Sequence, residues 1–377
     1  MAFEHYISAG GKRLRCGYTT GTCAALAAAG AARYLTEGTW PETVSLRTPK
    51  GWRVEVPLEA CRAEPGRAIC AVRKDGGDDV DRTHGARIEA AVALIESPGI
   101  AIQGGPGVGR VTKPGLDQPV GEAAINRVPR QMIARAVEEV LSAAGYEGGA
   151  SVVISVPEGE VIARQTFNPR LGIEGGISIL GTSGIVEPMS AQAVVDTIAL
   201  ELRQAAAQGE KRLILTPGNY GLDYLRRQGM DQWEIPVVKC SNFIGEALDE
   251  AVLDGFSEIL LVGHVGKLVK LAGGIFNTHS RTADCRAELF CAHAALAGGD
   301  KALCRALMDC STTDACLARL DEAGLRDPVM AGLLGAMQEH LSRRAGETCA
   351  VGAVLFSNEY GLLGETSEAK EIMERWN

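Results

Sequence analysis

The glycine-rich segment from Asn168 to Ser190 constrains the fold of this chain more than any other stretch. It places glycines at positions 172, 175, 176, 181 and 184, with isoleucines and leucines between them. The segment is too apolar for a solvated linker and too rich in glycine for a plain strand or helix. Glycine serves where the backbone takes a positive φ or approaches another group closely. We therefore expect this backbone to line something at the seam between two halves of the chain, and a pair of tight turns in a small sheet is the alternative.

The second half of the chain alternates between short β-rich runs and helical segments. Ser190 is a plausible N-cap for an alanine-rich helix that ends near Ala207. The alternation that follows is typical of an open parallel sheet. We predict an α/β fold, with an α+β domain over residues 1–195 and a Rossmann-like α/β/α domain with a mostly parallel sheet over residues 196–377. Its predicted strands are Lys211–Thr216, Ile235–Cys240, Glu258–Gly263 and Val351–Ser357.

Helices are predicted between these strands, and a long helical stretch is predicted from about residue 280 to 344. Ser311 and Asp314 form a capping-box pattern within that stretch. In the first half, the sequence predicts a meander of strands and a hairpin whose second strand is Val161–Phe167. The other predicted elements are helices at Ala24–Tyr34, Gln131–Ala144, Leu222–Arg227, Ile244–Leu253 and Gly266–Ala272, and strands at Thr43–Thr48, Trp52–Pro57, Ala68–Val72 and Ser151–Val156.

Ligands of open parallel sheets bind beyond the carboxyl ends of the strands. Three loops with glycine or polar residues follow the predicted strands of the second half, and we expect them to form one rim. They are Pro217–Gly221, Ser241–Gly245 and His264–Lys267.

A threonine-rich turn, Thr19-Thr20-Gly21-Thr22, stands immediately before an alanine-rich helix. Free backbone N–H groups and hydroxyls at a helix start are suited to a carboxylate or a phosphate. A simple threonine N-cap explains the same pattern equally well.

Two further loops carry clustered chemistry. Asp75, Asp78, Asp79 and Asp81 lie on a glycine loop, which suggests a cation or sulfonium site or a general base, with a solvated turn as the alternative. The loop from Gly104 to Gly115 contains G-x-G-x-G, but it lacks the strand-to-helix setting that would indicate a nucleotide site.

Composition excludes several classes of protein. The formal net charge is −9 and there is no basic stripe, so nucleic acid is not an expected partner. The apolar runs are too short to cross a bilayer and the N-terminus has no apolar signal region, so we expect a cytoplasmic protein without membrane contact. The 11 cysteines contain no C-x-x-C, and several lie six positions apart on different helix faces. They are predicted to be reduced thiols, and no metal site is expected.

The chain resembles the CbiD family of cobalamin synthesis, the cobalt-precorrin-5B C(1)-methyltransferases. The resemblance follows the chain in order from about residue 15 to 360, and residues 300–345 carry no motif. The stretches that carry it are Gly17–Ala24, Lys74–Thr83, Gly104–Gly115, Gly121–Asn126, Asn168–Ser190, Gly263–Ala272 and Thr278–Ser280.

This resemblance implies methyl transfer from S-adenosylmethionine (SAM) to ring carbon 1 of a cobalt corrinoid, giving cobalt-precorrin-6A in the oxygen-independent pathway. The cobalt then belongs to the substrate, whose acetate and propionate groups require local cations in an acidic protein. The expected substrate-binding residues are Thr19, Thr20, Thr22, Lys113, Arg127, Arg130, Arg170, Lys267 and Lys270.

Such a transfer needs no protein nucleophile, and alignment of the reactants is worth about 7–11 kcal/mol in favourable cases. The candidate catalytic residues are Asp75, Asp78 and Asp79, near the sulfonium or the ring, and His264 and His279 as proton carriers. The usual acidic residue and G-x-G-x-G of SAM-binding Rossmann domains are absent. The donor is expected on the rim, at Gly218, Asn219, Gly221, Ser241, Asn242 and Gly263.

Two other functions fit the same residues. One is a corrinoid-binding scaffold that passes intermediates without chemistry. The other is a nucleotide-using enzyme that holds phosphates with the Thr19–Thr22 turn and the Gly104–Gly109 loop, although no P-loop motif is present. The sequence also leaves a homo-oligomer open.

Overall fold

The protein forms two compact units, Met1–Ala191 and Gln192–Asn377. Their description comes from a computed structural model that covers residues 3–376. Residue 195, where the sequence places the division between domains, lies within a helix that runs from Ala191 to Ala207. Within residues 3–376, none of the helices has the length and apolar character needed to cross a membrane.

The first unit is built on a five-stranded mixed sheet with two long helices against it. Its strand order is β6-β7-β8-β12-β9, antiparallel except for the parallel pair β12 and β9. The elements are β1 Tyr6–Ala9, β2 Lys12–Arg15, β3 Gly17–Tyr18, α1 Thr20–Glu37, β4 Thr43–Arg47, β5 Arg53–Pro57, β6 Glu59–Glu64, β7 Arg67–Arg73, β8 Arg87–Ile95, β9 Ile100–Gly104, β10 Gly107–Val108, β11 Arg110–Val111, α2 Arg127–Ala143, β12 Gly149–Ser155, α3 Gly159–Ala163, β13 Ile173–Glu174, β14 Gly176–Ile177 and β15 Ile185–Val186.

Helix α1 is almost entirely buried because its residues are small. Every residue from Thr20 to Ala32 is buried, and the helix packs against α2, β7 and β8. A Cβ atom at Gly30 would lie 2.6 Å from Leu58 Cδ1. Alanine and glycine therefore let the helix approach the sheet more closely than larger side chains would allow.

The second unit is built on a sheet of order β17-β16-β18-β19-β20, parallel except for the antiparallel edge strand β20. This confirms the predicted α/β class with a mostly parallel sheet. Its elements are α4 Ala191–Ala207, β16 Arg212–Thr216, α5 Asn219–Arg227, a 3₁₀ helix Met230–Trp233, β17 Val237–Lys239, α6 Ile244–Leu253, β18 Glu258–His264, α7 Val265–Leu268, a 3₁₀ helix Val269–Gly273, α8 Arg286–Leu296, α9 Lys301–Met308, α10 Thr313–Glu322, α11 Arg326–Ala345, β19 Ala350–Ser357, β20 Gly361–Glu365 and α12 Ser367–Trp376.

Helices cover both faces of this sheet, and the side chains of β18 are buried on both sides. Ile259 and Leu261 point into a core shared with α4, α6 and α11, whereas Leu260 and Val262 point into a core shared with α5 and α12. Because successive side chains of a strand face opposite sides, a strand buried on both faces requires an unbroken apolar run.

Four local predictions were wrong. Val161–Phe167 is not a strand, because β12 already pairs with β8 and β9, and the chain forms the short helix α3 instead. The stretch 280–344 is broken into helices α8 to α11. Thr312, not Ser311, caps α10, and its hydroxyl accepts from Ala315 N at 3.1 Å. Helix α2 begins at Arg127, four residues before the predicted start.

Candidate functional site

The glycine-rich segment 168–190 runs along three other parts of the first unit. Its β14 pairs with β10 of the glycine loop, β13 pairs with β11, and β15 pairs with β3. A Cβ atom at Gly176 would lie 2.1 Å from the carbonyl oxygen of Gly107, so the two backbones meet where only glycine fits. The segment thus forms turns between short sheets, which was the alternative reading of its sequence.

The threonine turn is satisfied from within the protein. Thr19 N and Thr22 Oγ1 both donate to Gly184 O, at 3.1 and 2.6 Å, and Gly21 N donates to Leu180 O at 3.1 Å. Thr20 Oγ1 accepts from Leu180 N at 2.9 Å, and Thr19 Oγ1 caps Thr22 N at 3.2 Å. Thr19 is the N-cap of α1, and all three threonines are buried, which argues against contact with an anionic ligand.

Two aspartates of the Lys74–Thr83 loop are committed to ion pairs. Arg15 holds Asp75 through two hydrogen bonds of 2.5 and 2.8 Å, and Gly77 N adds a third at 2.9 Å. Burial raises the pKa of Asp75, but these hydrogen bonds outweigh it and leave the pKa below its ordinary value. Buried Lys74 pairs with Asp81, and there too the partner outweighs burial and lowers the carboxyl pKa. Both carboxylates therefore hold the loop in place.

The other two aspartates of this loop, Asp78 and Asp79, differ in their hydrogen bonds. Asp78 accepts a 2.7 Å hydrogen bond from Arg15 N, so it fixes the loop against the end of β2. Asp79 is half-buried, and its carboxylate makes no hydrogen bond or ion pair with any residue between 3 and 376. Asp79 is the loop carboxylate that remains available to a ligand.

Exposed cations gather on the loops around β11 and β13. Lys113 packs its stem over Gly172, where a Cβ atom would lie 2.5 Å from Lys113 Cγ, and Arg170 is two residues away. Arg127 begins α2, and its backbone N is held by Asp117. Arg110 is not among the predicted site residues, although its position beside a glycine loop is a usable signal; it donates to Gly121 O at 2.9 Å.

Arg130 differs from these cations, because its guanidinium is used inside the fold. It donates to Ile125 O at 2.9 Å and to Ile102 O at 3.0 Å, and the residue is half-buried. These bonds tie the first turn of α2 to β9. A structural role follows from them.

The order of strands in the second unit defines a crevice. The strand that follows β16 in sequence is β17, which lies on the side of β16 away from β18. The strand that follows β18 is β19, which lies on the side of β18 away from β16. The two connections therefore diverge between β16 and β18. Ligands of open α/β sheets bind at such switch points, outside the carboxyl ends of the strands. Here the loops that begin at Pro217 and His264 flank the crevice, and Lys267 Nζ donates to Pro217 O at 2.9 Å.

The glycines of this rim serve close packing. A Cβ atom at Gly221 would lie 1.7 Å from Thr216 Oγ1, so the first turn of α5 rests on the end of β16. One at Gly263 would lie 2.9 Å from Leu268 Cγ. Gly218 and Asn219 stand at the start of α5, and the neighbouring Tyr220 is 64% exposed with its ring 6.0 Å from that of His264. Tyr220 is not among the predicted donor residues, although an aromatic residue in a loop after a strand is a usable signal.

His264 caps α7 through its ring. Its Nδ1 accepts from Gly266 N at 3.1 Å, and Phe356 lies edge-on at 5.8 Å. Burial lowers the pKa of His264, although the nearby Asp314 carboxylate opposes this effect. A neutral imidazole that accepts at Nδ1 carries its proton on Nε2. His264 is therefore held as a hydrogen-bond donor, which does not suit a general base.

Of the remaining predicted residues, Asn242 and His279 accept hydrogen bonds from within the fold. Thr278 Oγ1 donates to Asn242 Oδ1 at 3.2 Å, and Ser241 takes a positive φ of 53° before it. His279 is exposed, and its Nδ1 accepts from Arg281 N at 3.1 Å.

Lys270 lies three residues after Lys267, in the 3₁₀ helix that follows α7. It is 2% exposed and donates to Thr278 O at 3.0 Å and Ala283 O at 2.8 Å. Lys270 thus holds the 278–283 loop, and Lys267 is the cation left at the crevice. Burial lowers the pKa of both amines.

Within residues 3–376, no group of three or more His, Cys, Asp or Glu side chains is arranged to hold a metal ion.

Comparison with known proteins decides the family. Residues 7–188 match the family model described as CbiD, and residues 277–367 match the model of the CbiD C-terminal domain. The chain belongs to the CbiD family. It is 50% identical over 356 residues to the cobalt-precorrin-5B C(1)-methyltransferase of Ruminiclostridium cellulolyticum, with 94% of this chain and 92% of that protein covered.

Other CbiD relatives extend the match to almost the whole chain. The proteins of the same name are 43% identical in Alkaliphilus metalliredigens, covering 98% of this chain and 97% of that protein, and 44% identical in Salmonella heidelberg, covering 99% and 98%. A crystal structure of the cobalamin biosynthesis protein CbiD from Archaeoglobus fulgidus is 31% identical and covers 74% of this chain and 87% of that one, with a TM-score of 0.39.

Proposed function

We propose that this chain is a cobalt-precorrin-5B C(1)-methyltransferase of cobalamin biosynthesis, which uses SAM as the methyl donor and forms cobalt-precorrin-6A in the oxygen-independent pathway. The observation that carries the proposal is 43–50% identity to relatives of that name over nearly their full length. We also assign the reaction to the cytoplasm, a reducing compartment, since the cysteines of the described chain are free thiols.

The donor site we propose is the crevice between β16 and β18. SAM presents a carboxylate, an adenine ring and ribose hydroxyls, and the residues at this rim match those groups. The Lys267 ammonium is suited to the carboxylate, exposed Tyr220 offers a ring face to adenine, and Asn219 offers an amide for hydroxyls. When bound, SAM supplies an electrophilic methyl group.

The corrinoid carboxylates are assigned to the exposed cations of the first unit. Arg110, Lys113, Arg127 and Arg170 make no ion pair with any carboxylate in residues 3–376. By contrast, exposed Arg164 of the same unit is paired with Glu160 at 3.4 Å. Unpaired cations on adjoining loops suit a polyanionic ring, and guanidinium groups bind carboxylates with two parallel hydrogen bonds.

Proton balance points to the aspartate loop of the first unit. Transfer of a methyl cation to a ring carbon adds one positive charge to the acceptor, and loss of a proton discharges it. Asp79 is the loop carboxylate with no partner, so we assign it the contact with this charge or proton. His264 is assigned a donor role instead, because its Nδ1 lone pair already accepts from Gly266.

The nucleotide-using alternative loses its main support, since the turn that would hold phosphate donates to Leu180 and Gly184. Incubation of the protein with labelled SAM and cobalt-precorrin-5B, followed by mass analysis, tests the proposal. We expect one labelled methyl group on the corrinoid. Tight corrinoid binding without methyl transfer and without SAM binding would favour the scaffold.

A further inference from the structure

Helix α9 is held to its neighbours by little apolar burial. Among its eight residues from Lys301 to Met308, only Leu307 is buried. The chain then turns at Asp309 and starts α10 at Thr313. A short helix with one buried side chain depends on other contacts at its ends.

Two cysteine sulfurs lie at the C-terminal end of this helix. Cys310 Sγ donates to Ala306 O at 3.2 Å, and Cys316 Sγ lies 4.0 Å from the next carbonyl oxygen, that of Leu307. The two sulfurs therefore lie beside consecutive carbonyl groups at the end of the same helix. Both residues line one cleft of about 240 Å³ together with Arg286 and Thr312. The pair therefore combines two thiols at one helix end with a cleft that both residues line, and Cys310 is the more exposed of the two.

We propose that Cys310 and Cys316 are a redox-active thiol pair that closes to a disulfide when the protein meets a small-molecule disulfide. The bond opens again when a reducing thiol is restored. This inference does not depend on the methyltransferase activity.

The positions of the two sulfurs assign the order of the steps. Cys310 is the more exposed of the two and loses its proton to solvent; its thiolate then attacks the external disulfide and releases one equivalent of small thiol. Cys316 then loses its proton and attacks the Cys310 sulfur of the mixed disulfide, which releases the second equivalent of small thiol. Two protein thiols are oxidised and one external disulfide is reduced. Burial raises the pKa of Cys316 to about 12, which suits it to the second step and not to the first.

The modification would lie beside the rim of the sheet. Ser311 and Thr312 stand between the two cysteines, and Thr312 caps α10. In the first turn of α10, Asp314 accepts from Ser357 Oγ at 2.5 Å, at the end of β19. A bond between the two cysteines would thus staple the helix start that supports the carboxyl end of β19.

The test treats the full-length native protein with oxidised glutathione, blocks the remaining thiols with an alkylating reagent and maps the peptides by mass spectrometry. We expect a linked Cys310–Cys316 peptide and the loss of two alkylatable thiols, both reversed by dithiothreitol. Cys23 and Cys240 are 0% exposed and should stay reduced, which checks that the protein remained folded.

Two variants sharpen this result. Cys316→Ser should leave Cys310 as a stable mixed disulfide with glutathione, whereas Cys304→Ser, which removes the cysteine within α9, should still form the Cys310–Cys316 bond. Alkylation of both cysteines after oxidation, a persistent glutathione adduct on Cys310 in the unaltered protein, or a bond from Cys310 to another cysteine would overturn the proposal.

Discussion

The ammonium of Lys267 donates a hydrogen bond of 2.9 Å to the carbonyl oxygen of Pro217. One side chain thereby ties together the loops that follow β16 and β18, the two strands between which the chain connections diverge. A hydrogen bond from a charged donor contributes more than one between neutral groups, about 1.5–3 kcal/mol. The shape of the proposed donor crevice therefore depends on Lys267.

Lys267→Met is expected to raise the dissociation constant for SAM about ten-fold, which corresponds to about 1.4 kcal/mol. The loss combines the loop tie with the charge that faces the donor carboxylate. Calorimetry with SAM measures it, and Lys301→Met, on an exposed residue at the start of α9, is the matched control. Equal affinities in the two variants would remove Lys267 from the donor site.

Substitutions of two aspartates in the Lys74–Thr83 loop are expected to affect different properties, one the stability and the other the turnover. Asp75→Asn should lower the free energy of unfolding by about 1.5–3 kcal/mol, because it weakens a bidentate bond to Arg15. Asp79→Asn should change stability by less than about 0.5 kcal/mol and reduce turnover at least ten-fold. Chemical denaturation and steady-state kinetics on both variants check this, and wild-type turnover in Asp79→Asn would exclude that carboxylate from the mechanism.

The free energy of unfolding is expected to decrease in two pH ranges as the pH is lowered. The pKa of Asp75 and Asp81 is lowered in the folded state, so their contribution is complete above the ordinary carboxyl pKa of about 3.9 and is lost as pH drops below it. The pKa of His264 is lowered too, so its contribution is complete above about pH 6.5 and is lost as pH falls through the folded-state value.

His264→Asn isolates the second window. Asparagine is a good N-cap and does not titrate, so the variant should keep α7 and flatten the stability profile between about pH 7 and 5. Burial also lowers the pKa of His293, so the comparison is the difference between wild type and variant. Unfolding measured across this range should show profiles that diverge only below about pH 6.5; parallel profiles would show that His264 does not couple to folding.

Arg170→Ala is expected to weaken corrinoid binding about five-fold, or about 1 kcal/mol for an exposed ion pair, with SAM affinity unchanged. Arg164→Ala is the matched control, since Arg164 is also exposed but already paired with Glu160. Equilibrium binding of the cobalt corrinoid at low salt distinguishes the two. Identical substrate affinity in Arg170→Ala and wild type would show that Arg170 does not bind a carboxylate.

Gly176→Ala is expected to destabilise the first unit by more than about 3 kcal/mol, because its Cβ would collide with the backbone of Gly107. Gly175→Ala meets no atom within 4 Å, but its φ of 80° is unfavourable for alanine. It should cost about 1 kcal/mol. Thermal unfolding orders the two variants, and a milder effect at Gly176 would mean that the pairing of β10 with β14 is loose.

Much of this architecture could be predicted because it depends on local patterns. The β-rich run Glu258–Gly263 predicted a strand, and alternation of such runs with helices predicted the parallel sheet. The loops after β16, β17 and β18 could then be placed at one edge of the sheet. The boundaries of α2 and the helices between 280 and 344 were missed, since turns and caps depend on single residues such as Thr312.

The composition and order of residues determined the family, the α/β class and the sites where glycine is required. They could not determine which polar groups are free. Thr20 and Thr22 look like an anion cradle until their partners near Leu180 and Gly184 are known, about 160 positions along the chain. Lys267 and Lys270 look equivalent until the structure shows that Lys270 is buried and donates to Thr278 and Ala283. Only the tertiary structure decides this, because the groups that satisfy a buried donor lie far along the chain and cannot be identified from its sequence neighbours.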